Sequence, residues 1–191
     1  MAGPDGDSVD KTAMDVAGAT MLDRVLAAAR PRCGRLVVVG PARPTAVIGV
    51  DFVREPAPGG GPAAAVAAGV AAVGPGADVV LVVAADLPLL TPADLDRLLD
   101  GLAADPEVDA VAARDHGGRP HPLLAAYRAA AIDVTGGPGS AAAGLLPRRT
   151  AVVDLGPEAT LNVNSPADLA AAVAVLRSRA TPPSTRSSSP P

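Results

Sequence analysis

The carboxylate of Asp86 stands just beyond a continuous apolar run, VVLVV, over Val79–Val83. A run of this length without alternation is typical of a strand covered on both faces. In open α/β sheets, ligands bind beyond the carboxyl ends of the strands, where Mg²⁺ typically takes one or two protein oxygens together with phosphates and waters. Asp86 is therefore a candidate magnesium ligand. The alternative is that it accepts hydrogen bonds from turn amides before Pro88.

Consecutive glycines at positions 59, 60 and 61 open into an alanine-rich segment that is predicted to be helical over residues 62–73. Glycines allow close backbone approach, and the start of the helix offers free N–H groups and a positive dipole end to an anion or a ring edge. No Lys-Ser or Lys-Thr pair follows the last glycine, so this is not a P-loop. A plain linker between a strand and a helix is the alternative.

A lysine and two asparagines add to the candidate chemistry. Lys11 is the single lysine of the chain, and its compact, mobile charge suits a phosphate oxygen. Asn162 and Asn164 alternate just before a predicted helix, so in an extended segment their amides project to one side. There they could bridge phosphate, a sugar hydroxyl or metal-bound water. The alternatives are a solvated lysine and asparagines that only form a turn.

Composition argues against several other classes of function. The net charge is −4 and the aromatic residues are Phe52 and Tyr127 alone, so nucleic-acid binding is poorly supported. Cys33 is the single cysteine, which excludes an internal disulfide and a CxxC zinc motif. His116 and His121 lack a nearby third ligand. The apolar stretches are too short or too rich in alanine to span a membrane, and no signal peptide is visible, so we expect a cytoplasmic protein.

The elements that must position these residues follow an alternating pattern. Short β-branched runs alternate with longer segments rich in alanine and leucine, which predicts an α/β sandwich with a mostly parallel sheet. Strands are predicted over residues 36–39, 79–83, 108–112, 123–127 and 151–155. The first two are expected to be central, and the third and fourth to pair antiparallel around Gly117 and Gly118. Helices are predicted over residues 21–29, 62–73, 92–103 and 166–177.

The starts of the last two helices and the end of the chain carry local signals. Thr91 and Ser165 each precede a Pro-Ala-Asp sequence, which is typical of a hydroxyl N-cap with proline at the first helical position. Residues 179–191 are rich in proline and serine and are expected to be a disordered tail. The sequence thus predicts one domain over residues 1–178.

Taken in order, these segments resemble the molybdenum cofactor guanylyltransferases, a nucleotidyltransferase family. The resemblance is carried by short motifs in the family's order: Val-Asp-Lys at 9–11, Gly-Gly-Pro at 60–62, Ala-Asp-Leu-Pro at 85–88, Gly-Arg-Pro-His-Pro-Leu at 118–123 and Asn-Val-Asn-Ser-Pro-Ala-Asp-Leu at 162–169. It implies a Rossmann-like three-layer fold of the nucleotide-diphospho-sugar-transferase type. The implied reaction transfers GMP from GTP to molybdopterin, with Mg²⁺, and releases pyrophosphate.

The resemblance also implies roles for individual residues. Lys11 and Asp86 would be catalytic, and Asp86 would bind Mg²⁺. The implied nucleotide-binding residues are Ala2, Gly3, Lys11, Gly61, Pro62, Asp86, Asn162 and Asn164. No covalent nucleophile is needed, because phosphoryl-type transfer requires mainly that the protein position the reactants and neutralise the charge of the phosphates.

The chain departs from the family pattern in two places. The family opens with a strand and a glycine-rich, arginine-containing loop, whereas residues 1–8 are shorter, lack arginine and have no strand before them. A start codon placed too far downstream would explain this. The missing strand would normally be central, so its two neighbours are expected to have unpaired backbone groups. Proline occupies position 56, where the family commonly has an acidic residue; Glu55 could substitute.

Two other interpretations stay open from the sequence. One is a sister activity, cytidylyl transfer to molybdopterin or nucleotidyl transfer to another phosphorylated small molecule. The other is a non-catalytic remnant of the family that binds a nucleotide or a partner protein.

Overall fold

Helices and strands alternate along most of the chain in the computed structural model, which describes residues 11–57, 59–135 and 139–180. The strands are β1 Leu36–Val39, β2 Val50–Val53, β3 Val79–Val83, β4 Ala110–Arg114, β5 Pro120–Arg128 and β6 Thr150–Val153. The α-helices are α1 Met21–Ala29, α2 Gly61–Val73, α3 Pro92–Ala104 and α4 Pro166–Ala180. Short 3₁₀ turns cover Lys11–Ala13, Ala129–Ala131 and Ala142–Leu145. The α/β class predicted from the sequence is confirmed.

Helix α3 begins where its sequence signal places it. The Thr91 hydroxyl accepts a hydrogen bond from the Asp94 N–H, and the Asp94 carboxylate accepts one from the Thr91 N–H, which together form a capping box. The buried residues Leu95, Leu98 and Leu102 repeat at helical spacing and face the sheet. The cap fixes the first turn, and the leucine stripe holds the helix against the core.

The strands form a two-stranded and a four-stranded sheet. The four-stranded sheet has the order β3-β5-β4-β6; β5 runs antiparallel to β3 and β4, while β4 and β6 are parallel. The antiparallel pairing of β4 and β5 was predicted, and a tight turn joins them, with the Asp115 N–H donating to the Arg119 carbonyl at 2.7 Å. A parallel pair, β1 and β2, forms the other sheet.

The position of β1 and β3 differs from the prediction that both are central. Within the described residues, β1 pairs with β2 alone and β3 pairs with β5 alone, so each strand is at the edge of its sheet. Each of these two strands therefore has one edge that no described strand covers. Val79, at the start of β3, is 39% exposed, although its sequence is that of a buried strand.

Where β4 and β5 meet, the core combines small side chains with one tyrosine. Ala110, Ala112, Ala125 and Ala126 are each fully buried where β4 and β5 meet. The Tyr127 side chain is also fully buried, and its hydroxyl donates to the Pro122 carbonyl at 2.7 Å. Burial raises the pKa of Tyr127 far above its ordinary value, so the hydroxyl stays protonated and acts as a donor.

Helix α4 packs against the segment before α3. The Arg179 guanidinium donates to the Leu89 carbonyl at 3.1 Å and pairs with the Glu158 carboxylate at 2.5 Å. The boundary predicted at residue 178 therefore falls inside this helix, and residues 181–191 lie outside the described part of the chain. Among the described residues, no helix is long and apolar enough to cross a membrane.

Candidate functional site

Asp86 lies three residues past the end of β3, in a turn at the carboxyl edge of the sheet. Its backbone carbonyl accepts a hydrogen bond from the Val163 N–H at 3.0 Å. The side-chain atom Oδ1 is buried and has no hydrogen-bond partner among the described residues. The turn amides before Pro88 therefore do not satisfy this oxygen. A buried carboxylate oxygen without a donor is costly.

Asn162 precedes the residue that is bonded to Asp86. Its side-chain Oδ1 is also buried and has no hydrogen-bond partner among the described residues. Because Val163 N–H bonds directly to the Asp86 carbonyl, the Asp86 and Asn162 segments lie side by side. Unsatisfied oxygens thus stand on two adjacent segments, contributed by parts of the chain that are far apart in sequence.

Asn164 and Asp168 form the start of α4. The Asp168 carboxylate accepts hydrogen bonds from the N–H of Asn164 at 3.1 Å and from the N–H of Ser165 at 2.8 Å. The Ser165 hydroxyl also donates to it at 2.8 Å, and these bonds lower the pKa of Asp168. The carboxylate therefore fixes the turn whose backbone carries Asn164. From the sequence, Ser165 and Asp168 were predicted to start a helix, and Asn164 was predicted to bind the nucleotide.

Lys11 reaches the same turn from the other end of the chain. Its Nζ donates to the Asn164 carbonyl at 3.4 Å, and the side chain is exposed. The next residue, Thr12, accepts a hydrogen bond from Arg43 Nη1 at 2.8 Å, and Arg43 lies in the loop after β1. Lys11, Asn164, Asn162 and Asp86 are thus connected through one series of contacts. The anchoring by Arg43 could not be read from the sequence, because nothing in the local pattern links it to Thr12.

The glycine loop is held by Glu55. The Gly60 N–H donates to Glu55 Oε2 at 3.2 Å, and the Gly60 carbonyl accepts from the Gly139 N–H at 2.8 Å. A Cβ at Gly60 would lie 2.7 Å from Ala64 Cβ, so the position requires glycine. Gly61 opens α2 with a φ of +84°, in the region that favours glycine. Glu55 therefore holds the glycine loop through this backbone hydrogen bond, and its substitution for the family's acidic residue stays a prediction.

Of the glycine loop, Pro62 shares a cavity with the segment before Asp86. Pro62 lines a cavity of about 550 Å³ that Ala84 and Ala85 also line. None of the hydrogen bonds found in the described ranges joins Gly61 or Pro62 to Asp86 or Lys11. Contacts thus link the segments of Lys11, Asn164, Asn162 and Asp86, whereas the glycine loop shares with them only the cavity that Pro62, Ala84 and Ala85 line.

Ala2, Gly3 and the histidines are the other residues singled out in the sequence. Ala2 and Gly3 lie outside the described residues. His121 Nδ1 accepts a hydrogen bond from the Leu123 N–H at 3.2 Å, which gives this histidine a structural role at β5. In the described part of the chain, no three His, Cys, Asp or Glu side chains are grouped as they would be for a metal cluster.

Comparison with known proteins gives a family and a fold. A family model described as the MobA-like NTP transferase domain matches residues 4–139, which include Lys11, Gly61 and Asp86. The matched range ends before Asn162 and Asn164. A search among curated protein sequences gave no significant match.

Several solved structures share the fold. The 2-C-methyl-D-erythritol 4-phosphate cytidylyltransferase from Thermus thermophilus has a TM-score of 0.65 and 23% identity, covering 87% of this chain and 93% of that one. The molybdopterin-guanine dinucleotide biosynthesis protein A from Archaeoglobus fulgidus has a TM-score of 0.63 and 19% identity, covering 90% and 92%. At these identities the likeness establishes the fold.

Proposed function

Because the chain belongs to the MobA-like NTP transferase domain family, we propose that it transfers GMP from GTP to molybdopterin. In this reaction an oxygen of the acceptor phosphate bonds to the α-phosphorus of GTP. The bond from that phosphorus to the β-phosphate oxygen breaks, and pyrophosphate leaves. The guanine and molybdopterin specificities are supported by the order of the sequence motifs, which is that of the molybdenum cofactor guanylyltransferases.

The observation that carries the proposal is the pair of unsatisfied oxygens on Asp86 and Asn162. Leaving a buried polar atom without a partner costs about 1–3 kcal/mol, so their burial is best understood as preparation for a ligand. Carboxylate and amide oxygens suit a hard cation such as Mg²⁺, and these residues therefore fit the metal that the family resemblance implies. Bound there with a nucleotide, Mg²⁺ would neutralise charge on the phosphates during transfer.

Lys11 supplies the positive charge of the site. Its hydrogen bond to the Asn164 carbonyl is long, at 3.4 Å, and the amine is exposed. The amine can therefore exchange the carbonyl for a phosphate oxygen at little cost. In this position Lys11 would stabilise the negative charge that develops on the leaving pyrophosphate.

The start of α2 offers a second contact to the nucleotide. Its N-cap, Gly60, makes no side-chain capping bond, so the first N–H groups of the helix are not occupied by a cap. Such groups favour an anion or a polar ring edge. A nucleotide that contacts both Asp86 and the start of α2 would use both groups of candidate residues.

The proposal is tested by measuring pyrophosphate release from GTP or CTP with Mg²⁺, in the presence and absence of molybdopterin. We expect release that requires molybdopterin and is faster with GTP. Faster release with CTP would overturn the guanylyl assignment and support the cytidylyl alternative. Absence of release with either nucleotide, from folded protein that still binds Mg²⁺ and GTP, would overturn catalysis and support a binding role.

A further inference from the structure

His121 is connected to the turn that carries Asp86 through a single residue, Leu123. The Leu123 N–H donates to His121 Nδ1 at 3.2 Å, and the Leu123 carbonyl accepts from the Ala84 N–H at 2.7 Å. Ala84 follows β3 directly and precedes Asp86 by two residues. His121 therefore belongs to the part of β5 that adjoins the candidate site.

A β-bulge contributes to the placement of His121. Ala112 of β4 pairs with Ala125 of β5, whereas the next residue, Ala113, pairs with His121. Residues 122–124 of β5 therefore have no partner in β4. Bulges are over-represented next to active sites, where they redirect a side chain. His121 immediately precedes the bulged residues, so its position depends on them.

The backbone around His121 is stiff. Pro120 and Pro122 flank the histidine, and the ring of a proline fixes its φ angle. The Pro122 carbonyl also accepts a hydrogen bond from the buried Tyr127 hydroxyl at 2.7 Å. The bulge is thus attached to the core, and the imidazole next to it is held in one place.

One of the two ring nitrogens of His121 has a hydrogen-bond partner. Because Nδ1 accepts the Leu123 N–H, the ring proton is on Nε2. Among the hydrogen bonds between described residues, none involves Nε2, and the side chain is half-buried. A fixed imidazole N–H of this kind can donate to an oxygen of an anion.

The hairpin that joins β4 and β5 carries more positive than negative side chains. Its two arginines, Arg114 and Arg119, stand against one carboxylate, that of Asp115. This carboxylate already accepts the Arg119 N–H at 2.7 Å and pairs with the Arg119 guanidinium at 3.6 Å. An anion that reaches His121 would therefore be attracted by the charge of the hairpin.

The proposed reaction brings together two phosphorylated substrates, a nucleoside triphosphate and a phosphate monoester. In the proposed function, Lys11 and the start of α2 contact the nucleotide. No hydrogen bond among the described residues joins the His121 hairpin to either of these groups, whereas Leu123 joins it to the Asp86 turn. The hairpin is thus a separate group of donors beside Asp86.

We propose that His121 binds the acceptor substrate by donating from Nε2 to an oxygen of its phosphate monoester, an inference that rests on the proposed function. A second oxygen of that phosphate bonds to the α-phosphorus of GTP as the bond to the leaving pyrophosphate breaks. His121 thereby selects acceptors that carry a phosphate monoester and places the attacking oxygen near Asp86.

Steady-state kinetics of pyrophosphate release separate the two substrates. His121→Asn keeps an oxygen for the Leu123 N–H but lacks the Nε2 donor, whereas His121→Gln keeps a donor near that position. We expect His121→Asn to raise KM for molybdopterin at least about tenfold, the effect of losing a hydrogen bond to a charged group. KM for GTP should stay unchanged, and His121→Gln should recover part of the loss.

The matched control is His116→Asn, an exposed change on the same hairpin. It should leave KM for both substrates at the wild-type values. An unchanged KM for molybdopterin in His121→Asn, or an equal rise in KM for both substrates, would overturn the proposal.

Binding of inorganic phosphate tests the site without nucleotide transfer. The chain has two histidines, so NMR can follow the ring signals of His121 and His116, assigned with the two asparagine variants. The wild type is titrated at constant pH with sodium phosphate, and with sodium chloride at equal ionic strength. Phosphate should move the His121 signals in a saturable way and the His116 signals no more than chloride does.

Equal movement of the two histidines in phosphate would overturn the proposal. A wild type that releases no pyrophosphate, while its His121 signals respond to phosphate, would overturn the proposed function and support the phosphate site at His121. A wild type that transfers GMP, with His121 signals that ignore phosphate, would do the reverse.

Discussion

The backbone N–H of Val163 donates to the backbone carbonyl of Asp86 at 3.0 Å, and this hydrogen bond aligns two segments that each present an unsatisfied oxygen. The bond fixes the backbone of both segments, so the Asp86 and Asn162 side chains do not need each other for their placement. Preorganised groups of this kind cost no reorganisation when a charged ligand arrives. In the proposed function, these two segments are therefore in place before a nucleotide binds.

Replacing Asn162 with alanine should lower the affinity for GTP without lowering the stability of the protein. The variant loses an oxygen for the ligand, so its affinity for GTP with Mg²⁺ should fall. It also removes an unsatisfied buried atom, so the ligand-free protein should keep its stability or gain about 1 kcal/mol. Isothermal titration calorimetry and thermal unfolding measure the two effects. A loss of stability with unchanged affinity would show that Asn162 is structural.

Replacing Lys11 with glutamine should weaken GTP binding by about tenfold, the effect of losing one charge-assisted hydrogen bond. The effect should shrink at high salt, because the side chain is exposed. Arg97→Gln, an exposed change on α3, is the matched control and should leave affinity unchanged. Equal GTP affinities of the two variants would show that Lys11 does not contribute to nucleotide binding.

Asp168 should make the stability of the protein depend on pH in acid. Its pKa is lowered below the ordinary value of 3.8, first by the Ser165 hydroxyl and then by the N–H groups of Asn164 and Ser165. A lowered pKa in the folded state contributes stability that is present above the unfolded pKa and is lost as pH falls through the folded one. The Tm difference between the wild type and Asp168→Asn should therefore be constant above about pH 5 and shrink below it. A difference that grows on acidification would contradict this.

Tyr127→Phe tests the polar contact inside the alanine-rich core. The change leaves the Pro122 carbonyl without the hydroxyl that donates to it at 2.7 Å. The free energy of unfolding should fall by about 1–2 kcal/mol, which lowers Tm by about 2–8 °C for a chain of this size. Chemical denaturation measures the change. An unchanged midpoint would mean that the carbonyl finds another donor.

Local signals in the sequence predicted most helices and strands. They did not predict which strands pair with each other. The bounds of α1, β1 and β3 are as predicted, because each is set by its own apolar pattern and flanking residues. Strand β2 was missed, since Val50–Val53 is short and contains Asp51. It becomes a strand by parallel pairing with β1. The sequence pattern of a strand does not reveal which other strand will pair with it.

The candidate site shows the same difference between local signals, which the sequence reveals, and long-range contacts, which it does not. Asp86 was singled out because a strand ends just before it, which is a local signal. The contact of Lys11 with Asn164 joins residues 153 positions apart, and no pattern at either end predicts it. The two carboxylates that hold the site backbone, Glu55 at the glycine loop and Asp168 at the α4 turn, act through hydrogen bonds to N–H groups. Such roles emerge only once the backbone is folded.

In the proposed reaction, nucleotide transfer depends on the carboxylate of Asp86, and a comparison of three proteins tests this dependence. Pyrophosphate release from GTP with molybdopterin, titrated with Mg²⁺, is measured for the wild type, Asp86→Asn and Asp100→Asn, the last an exposed carboxylate on α3. We predict that Asp86→Asn lowers the rate by at least about a hundredfold and that Asp100→Asn keeps the wild-type rate and Mg²⁺ dependence. Equal rates for the wild type and Asp86→Asn would contradict the assignment.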